Sequence, residues 1–169
     1  LGARRVEQAI VPGQRRYQID MPAVAAHIGK ILSVRYGVVD ERGGEHLSVV
    51  RKLQVQSIPS IRFEAVRRDG LSGGTLCSRS FGSPGARLTL SKWSLITTDQ
   101  WIMITFTGVG NSGDLVYEAV RKRAITSAET VNGIGLTTDI RLPKSFLNGL
   151  RRNTPLTGKV YARFDAGRT

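Results

Sequence analysis

With 169 residues, 40% hydrophobic and 22% charged, the chain is too apolar for a disordered tail and too evenly charged for a membrane-embedded protein. Lys and Arg total 25 against 13 acids, a formal +12 that favours phosphate or acidic-glycan partners. The cations are scattered in short clusters without a polybasic arm, which disfavours specific nucleic-acid reading and leaves Arg121, Lys122, Arg123, Arg151 and Arg152 as candidate polyanion contacts.

Residue 1 is Leu, so the expectation is a chain processed or cut from something longer. Nineteen Gly and a 7% aromatic share point to many short strands joined by turns rather than to long helices. From Ile31 to Val39 the apolar residues Leu32, Val34, Tyr36 and Val38 alternate with Ser33, Arg35 and Gly37, the period of a half-buried strand. Asp40 to Gly44 turns the chain, and His46 to Val55 is expected as the return strand of a hairpin. Ser57-Ile58-Pro59 then marks a domain boundary, dividing the chain into 1–56 and 57–169.

Past the boundary, Ile61 to Val66 alternates and a short segment runs from Thr75 to Phe81, set off by Gly-rich breaks at Asp69–Gly74 and Gly82–Gly85. The run Trp101 to Phe106 is nearly all apolar and predicts a central strand covered on both faces, with a turn over Thr107 to Gly113. Leu115 to Val120 reads as the next strand, with Arg121-Lys122-Arg123 where it leaves the sheet. Thr137 to Leu142 and Gly158 to Phe164 follow, separated by Pro143 to Leu150, where Pro suits the first turn of a short helix and Gly149 its end.

The two halves share an order of features. Pro22, a short helix over Ala23 to Ala26 and the strand ending at Asp40 are matched by Pro143, a short helix over Lys144 to Leu147 and the strand ending at Asp165; the prolines lie 121 residues apart. This recurrence argues for tandem modules of roughly 90 to 120 residues, the size of a seven- or eight-stranded sandwich.

The stretch Leu88-Thr89-Leu90-Ser91-Lys92-Trp93-Ser94-Leu95-Ile96, then Gln100-Trp101-Ile102-Met103-Ile104 and Gly108, resembles a segment of the immunoglobulin-like repeats in very large surface or secreted proteins of pseudomonads and related bacteria. Gly74-Thr75-Leu76, Ala128-Glu129 after Tyr117, and the closing Leu142-Pro143 and Phe164-Asp165-Ala166-Gly167 resemble the rest of that module. The likeness spans most of 57–169, and 15–55 resemble the C-terminal half of a preceding repeat. Cys77-Ser78 and the density of Arg and Lys depart from the family pattern. The resemblance implies an all-β chain of tandem immunoglobulin-like sandwiches, a stalk or adhesive module outside the cell. On that alignment, 1–56 is the C-terminal half of one module and 57–169 is a second lacking its last strand, the counterpart of His46 to Val55. Such a free edge is expected to recruit a strand from a neighbouring module of the same polypeptide or from another chain. The alternative is one jelly-roll sandwich, in which Gly158 to Phe164 would pair with His46 to Val55.

Residues able to carry chemistry are few. His27 and His46 have no acid partner in a motif. Cys77 is the sole cysteine, which excludes an internal disulfide and a CxxC motif and suits an inert buried thiol. Gly108 to Gly113 lacks the helix and Lys of a phosphate loop and is expected as a hairpin turn. Asp99, Asp114 and Asp139 lack D-x-D spacing for calcium. Trp93 and Trp101 are expected in the core between sheets, with stacking on sugars or bases as the alternative. The sequence therefore predicts no enzyme, no catalytic residues, no metal and no cofactor. It predicts a structural or adhesive module with a host or matrix glycan as a candidate ligand, nucleic acid disfavoured and no membrane insertion. The rival functions are a small viral jelly-roll capsid protein and a polyanion-binding sandwich.

Overall fold

The computed structural model describes residues 13, 16, 18–57, 66–68, 71–72, 75–76 and 82–164. Cys77 lies outside the described residues, as do all but Val66 of the segment from Ile61 to Val66, the part of the 75–81 segment beyond Leu76, and the end of the last strand beyond Phe164. The chain divides into two compact units, Leu1–Ser60 and Ile61–Thr169. Its regular structure is predominantly β-strand in antiparallel pairs, with three short helices among the described residues.

In the first unit, α1 (Met21–Ala26) starts with Pro22 in its opening turn, where a missing N–H costs nothing. His27 follows it. The expected hairpin is present in two pieces. β1 (Ile31–Val34) pairs with β4 (Arg51–Gln54), and β2 (Gly37–Val39) pairs with β3 (Glu45–Leu47). Between the pieces, Arg35-Tyr36 oppose Ser48-Val49-Val50, so the return strand carries one extra residue, a bulge that interrupts the ladder. Ser48 stitches the gap: its N–H donates to the Tyr36 carbonyl at 2.8 Å, and its hydroxyl accepts from the Tyr36 N–H at 3.0 Å. The bulge ends the expected alternation. Leu32 is buried and Val34 half-buried, whereas Tyr36 is 71% exposed and Val38 is exposed too.

In the second unit, β5 (Arg67–Arg68), β6 (Leu71–Ser72) and β7 (Thr75–Leu76) are short, and β6 pairs with β7. Two three-stranded sheets follow. In one, β8 (Gly85–Thr89) lies between β5 and β11 (Arg141–Pro143); in the other, β9 (Trp101–Gly110) lies between β10 (Gly113–Ala124) and β12 (Leu156–Arg163). β12 pairs with β9, in register Val160 to Ile104.

Ala86 and Leu88 of β8, with Leu90 just past it, point inward at period two and share one core with Ile102, Ile104 and Phe106 of β9, Val120 of β10 and Leu142 of β11. Trp93, Ile125, Ile134 and Ile140, on the connections, complete it with Leu147 of α3 (Lys144–Gly149). Tyr117 and Phe146 bring β10 and α3 together, ring centroids 5.3 Å apart. Buried Gln100 organises the turn before β9: its Oε1 accepts from Trp93 Nε1 at 3.2 Å and its Nε2 donates to the Leu95 carbonyl. Leu95 takes a positive φ of 66° there.

Three expectations are corrected. β9 is a central strand but is fully covered on one face only: Ile102, Ile104 and Phe106 are buried, while Trp101, Met103, Thr105 and Thr107 alternate with them half-exposed. Strand β9 runs on to Gly110, and the turn shrinks to Asn111-Ser112 with Gly113 at φ 129°, a conformation that favours glycine. Strand β10 does not stop at Val120 but continues through Arg121, Lys122 and Arg123 to Ala124.

Candidate functional site

The outer face of the β10-β9-β12 sheet gathers most of the chemistry. Facing away from the core, Trp101 and Met103 of β9 lie beside Arg163 and Tyr161 of β12, and Thr105 lies between Lys159 and Glu118. Tyr161 is 49% exposed. On the β10 side the ladder slips twice. Ala119 is an extra residue between the Glu118–Thr105 and Val120–Ile104 pairs, and Arg121 and Lys122 together oppose Met103 before register resumes at Arg123–Ile102. Because the second slip sets two residues where one would fit, both basic side chains reach this face. Lys122 Nζ sits over the Trp101 ring, 5.3 Å from its centroid, and Arg121 Nε lies 3.6 Å from Glu118 Oε2 with its side chain 89% exposed. An ion pair so exposed contributes at most about 1 kcal/mol and leaves the guanidinium available.

Arg123 has a different fate. Its Nη1 donates to Glu129 Oε2 at 2.8 Å and its Nη2 to Oε1 at 2.5 Å, in a bidentate pair with a carboxylate that has 0% side-chain exposure. Glu129 belongs to α2 (Ser127–Asn132), a helix the sequence reading did not anticipate. Thr126 caps it: the Thr126 hydroxyl accepts from the Glu129 N–H at 3.3 Å while Glu129 Oε2 accepts from the Thr126 N–H at 2.9 Å. Burial alone pushes the Glu129 carboxyl up, but the bonds from Arg123 and Thr126 together outweigh it and hold it below the usual carboxylate range. The same partner raises the Arg123 guanidinium. Arg123 is thus engaged within the chain by a buried carboxylate, whereas Arg121 is held only by an exposed one.

The other sequence candidates are dispersed. Arg151 and Arg152 are exposed in the turn before β12, near the opposite end of β9, where the Arg151 N–H donates to the Val109 carbonyl at 2.7 Å. Trp93 is buried, as expected, but Trp101 is not in the core; it lies on the outer face. The uniform apolar run around Trp101 carries no parity, so only the register reveals its side. The histidines are held locally. His27 Nδ1 is 2.8 Å from the Ala23 carbonyl, and His46 Nε2 is 3.0 Å from Asp40 Oδ2 in the hairpin turn. Asp40 also accepts from the Arg42 and Gly44 N–H groups, and this set, led by His46, holds its carboxyl below the usual range. Among the described residues, no three His, Cys, Asp or Glu side chains come together as a metal site. No helix is long and apolar enough to cross a membrane among those residues.

Comparison with family models, curated proteins and solved structures finds no match. The residues that sequence reasoning passed over on the outer face are Met103, Lys159 and the exposed side of Tyr161; the alternation of Lys159, Tyr161 and Arg163 along β12 is the signal that could have found them.

Proposed function

We propose that the chain is a non-enzymatic module of an extracellular, immunoglobulin-like repeat protein that acts as a structural stalk and adhesive surface. The observation that carries this reading is the order of strands in the second unit. With the separate β6–β7 hairpin set aside, β5, β8 and β11 form one sheet in the order first, second, fifth, and β10, β9 and β12 form the other in the order fourth, third, sixth. An immunoglobulin-like sandwich places its A, B and E strands in one sheet and C′, C and F in the other, with connections crossing between layers. The match extends to the crossings at β8 to β9, β10 to β11 and β11 to β12. In chain order, helix α2 falls between C′ and E, the place of a D strand.

The first unit supports the repeat reading. It has the same Pro-bearing short helix followed by a strand, and there the strand pairs with a return strand, β3–β4. In β12, Val160 is 38% exposed although it pairs with the fully buried Ile104. A further strand from a neighbouring module, or exchanged from another chain, would cover it.

Small-angle scattering with sedimentation tests the reading. A stalk module gives a monomer or small oligomer with an elongated profile, whereas closed shells of many copies would replace it with a capsid protein.

A further inference from the structure

We propose that the outer face of the β10-β9-β12 sheet binds an anionic polysaccharide, with a sugar ring lying on Met103 and Tyr161 beside Trp101 and sulfate or carboxylate groups held by Arg121, Lys122 and Lys159. The proposal rests on the adhesive reading above and names the ligand class of that module. Two features of the face carry it. The first is composition by position. Register places Tyr161 directly beside Met103, with Trp101 two residues along β9, so an apolar strip with an aromatic ring on each strand crosses the sheet. Cations flank it on both sides, Lys159 from β12 and the bulged Arg121 and Lys122 from β10, against one carboxylate, Glu118, which Arg121 already engages. A chain with a formal +12 adds a long-range attraction for any polyanion.

The second feature separates a glycan from a nucleic acid. Base stacking needs an open aromatic face. The Lys122 ammonium already sits over the Trp101 ring at 5.3 Å. That arrangement occupies a face of Trp101 and leaves Tyr161, 49% exposed, as the open ring of this face, too little for a run of stacked bases and enough for one sugar ring whose anionic substituents reach the flanking cations. Strand geometry fits an extended chain as well: Lys159 and Arg163 are four residues apart on β12, about 13 Å along the strand.

The test uses the whole chain and isothermal titration with three probes: a heparin-derived sulfated oligosaccharide, neutral dextran, and single-stranded DNA of equal charge. The expected result is binding of the sulfated probe that weakens as salt rises, at least tenfold weaker binding of the DNA, and none of dextran. Lys159→Gln should lower the slope of log affinity against log salt by about 1. Tyr161→Ser should weaken binding at every salt concentration without changing that slope. Arg152→Gln, at the other end of the sheet, should change neither. Because Tyr161 is an exposed edge residue, a melting curve unchanged by Tyr161→Ser shows that the variant has folded. DNA bound as tightly as the sulfated probe, or Tyr161→Ser without effect, overturns the proposal; so does failure to bind the sulfated probe. The scattering profile of the unliganded chain is independent of all these outcomes, so the module reading stands or falls separately.

Discussion

Removing Arg123 should destabilise the second unit more than removing its partner does. Glu129 has 0% side-chain exposure and Arg123 has 33%, so the two truncations leave different orphans. Arg123→Ala strands a buried carboxylate left with the support of Thr126, chiefly its N–H, a situation that costs about 3 to 5 kcal/mol. Glu129→Ala frees a guanidinium that is already one-third wet and can rehydrate; it loses the pair and half of a capping box, about 2 to 3 kcal/mol. The pH dependence separates them further. In the intact chain the Glu129 carboxyl is lowered by folding, so its contribution is fully present above the ordinary carboxylate range and is lost as pH falls through the folded value. Without Arg123, burial is left as the dominant influence and raises the same carboxyl. Protonation then relieves the stranded charge, and the deficit of Arg123→Ala relative to the intact chain shrinks on acidification. Urea unfolding followed by tryptophan fluorescence at several pH values from 7 downward reads both effects. Equal penalties for the two variants, or a gap that does not change with pH, would refute the assignment of Glu129 as a buried, paired carboxylate.

Other positions give sharper or more local readouts. Leu142, wholly buried on β11, should lose about 2 to 5 kcal/mol on Leu142→Ala, measured by the same unfolding midpoint with an unchanged m-value. Gly135 has φ of 81°, and a Cβ there would lie 2.1 Å from the Leu88 carbonyl oxygen, so Gly135→Ala must displace the β8 backbone and should cost more than about 1 kcal/mol, visible as a drop in melting temperature. In the hairpin turn of the first unit, His46→Ala should raise the Asp40 carboxyl toward its ordinary value, because the His46 bond is the largest influence lowering it; carbon-detected NMR titration of Asp40 reads this directly.

The hairpins and short helices were legible because their signals are local. Pro22 and Pro143 announce the opening turns of α1 and α3, and the Asp40–Gly44 cluster announces a turn between alternating runs. The bulges were not legible. Arg121-Lys122-Arg123 reads as a strand's polar exit, yet a slipped register keeps it in β10 and divides it between an outward face and the inward pair with Glu129. The same limit hid the side of Trp101 and the opening of the first hairpin at Tyr36, since both depend on which residue lies opposite. Helix α2 did leave a trace, Thr126-Ser127-Ala128-Glu129 having the spacing of a capping box. Its six residues are too few for an apolar period, so the trace stood without support from the pattern. The outer face of the β10-β9-β12 sheet combines residues from three strands spread over about 60 positions of sequence, and no motif links them before the sheet does.

The strand order of the second unit is the central claim, and cross-strand nuclear Overhauser effects test it most directly. Contacts between Ile104 and both Val160 and Val120, together with contacts between Ala86 and Leu142, are the expected result. Backbone contacts from Val160 to residues 51–54, in place of those to Ile104, would contradict it.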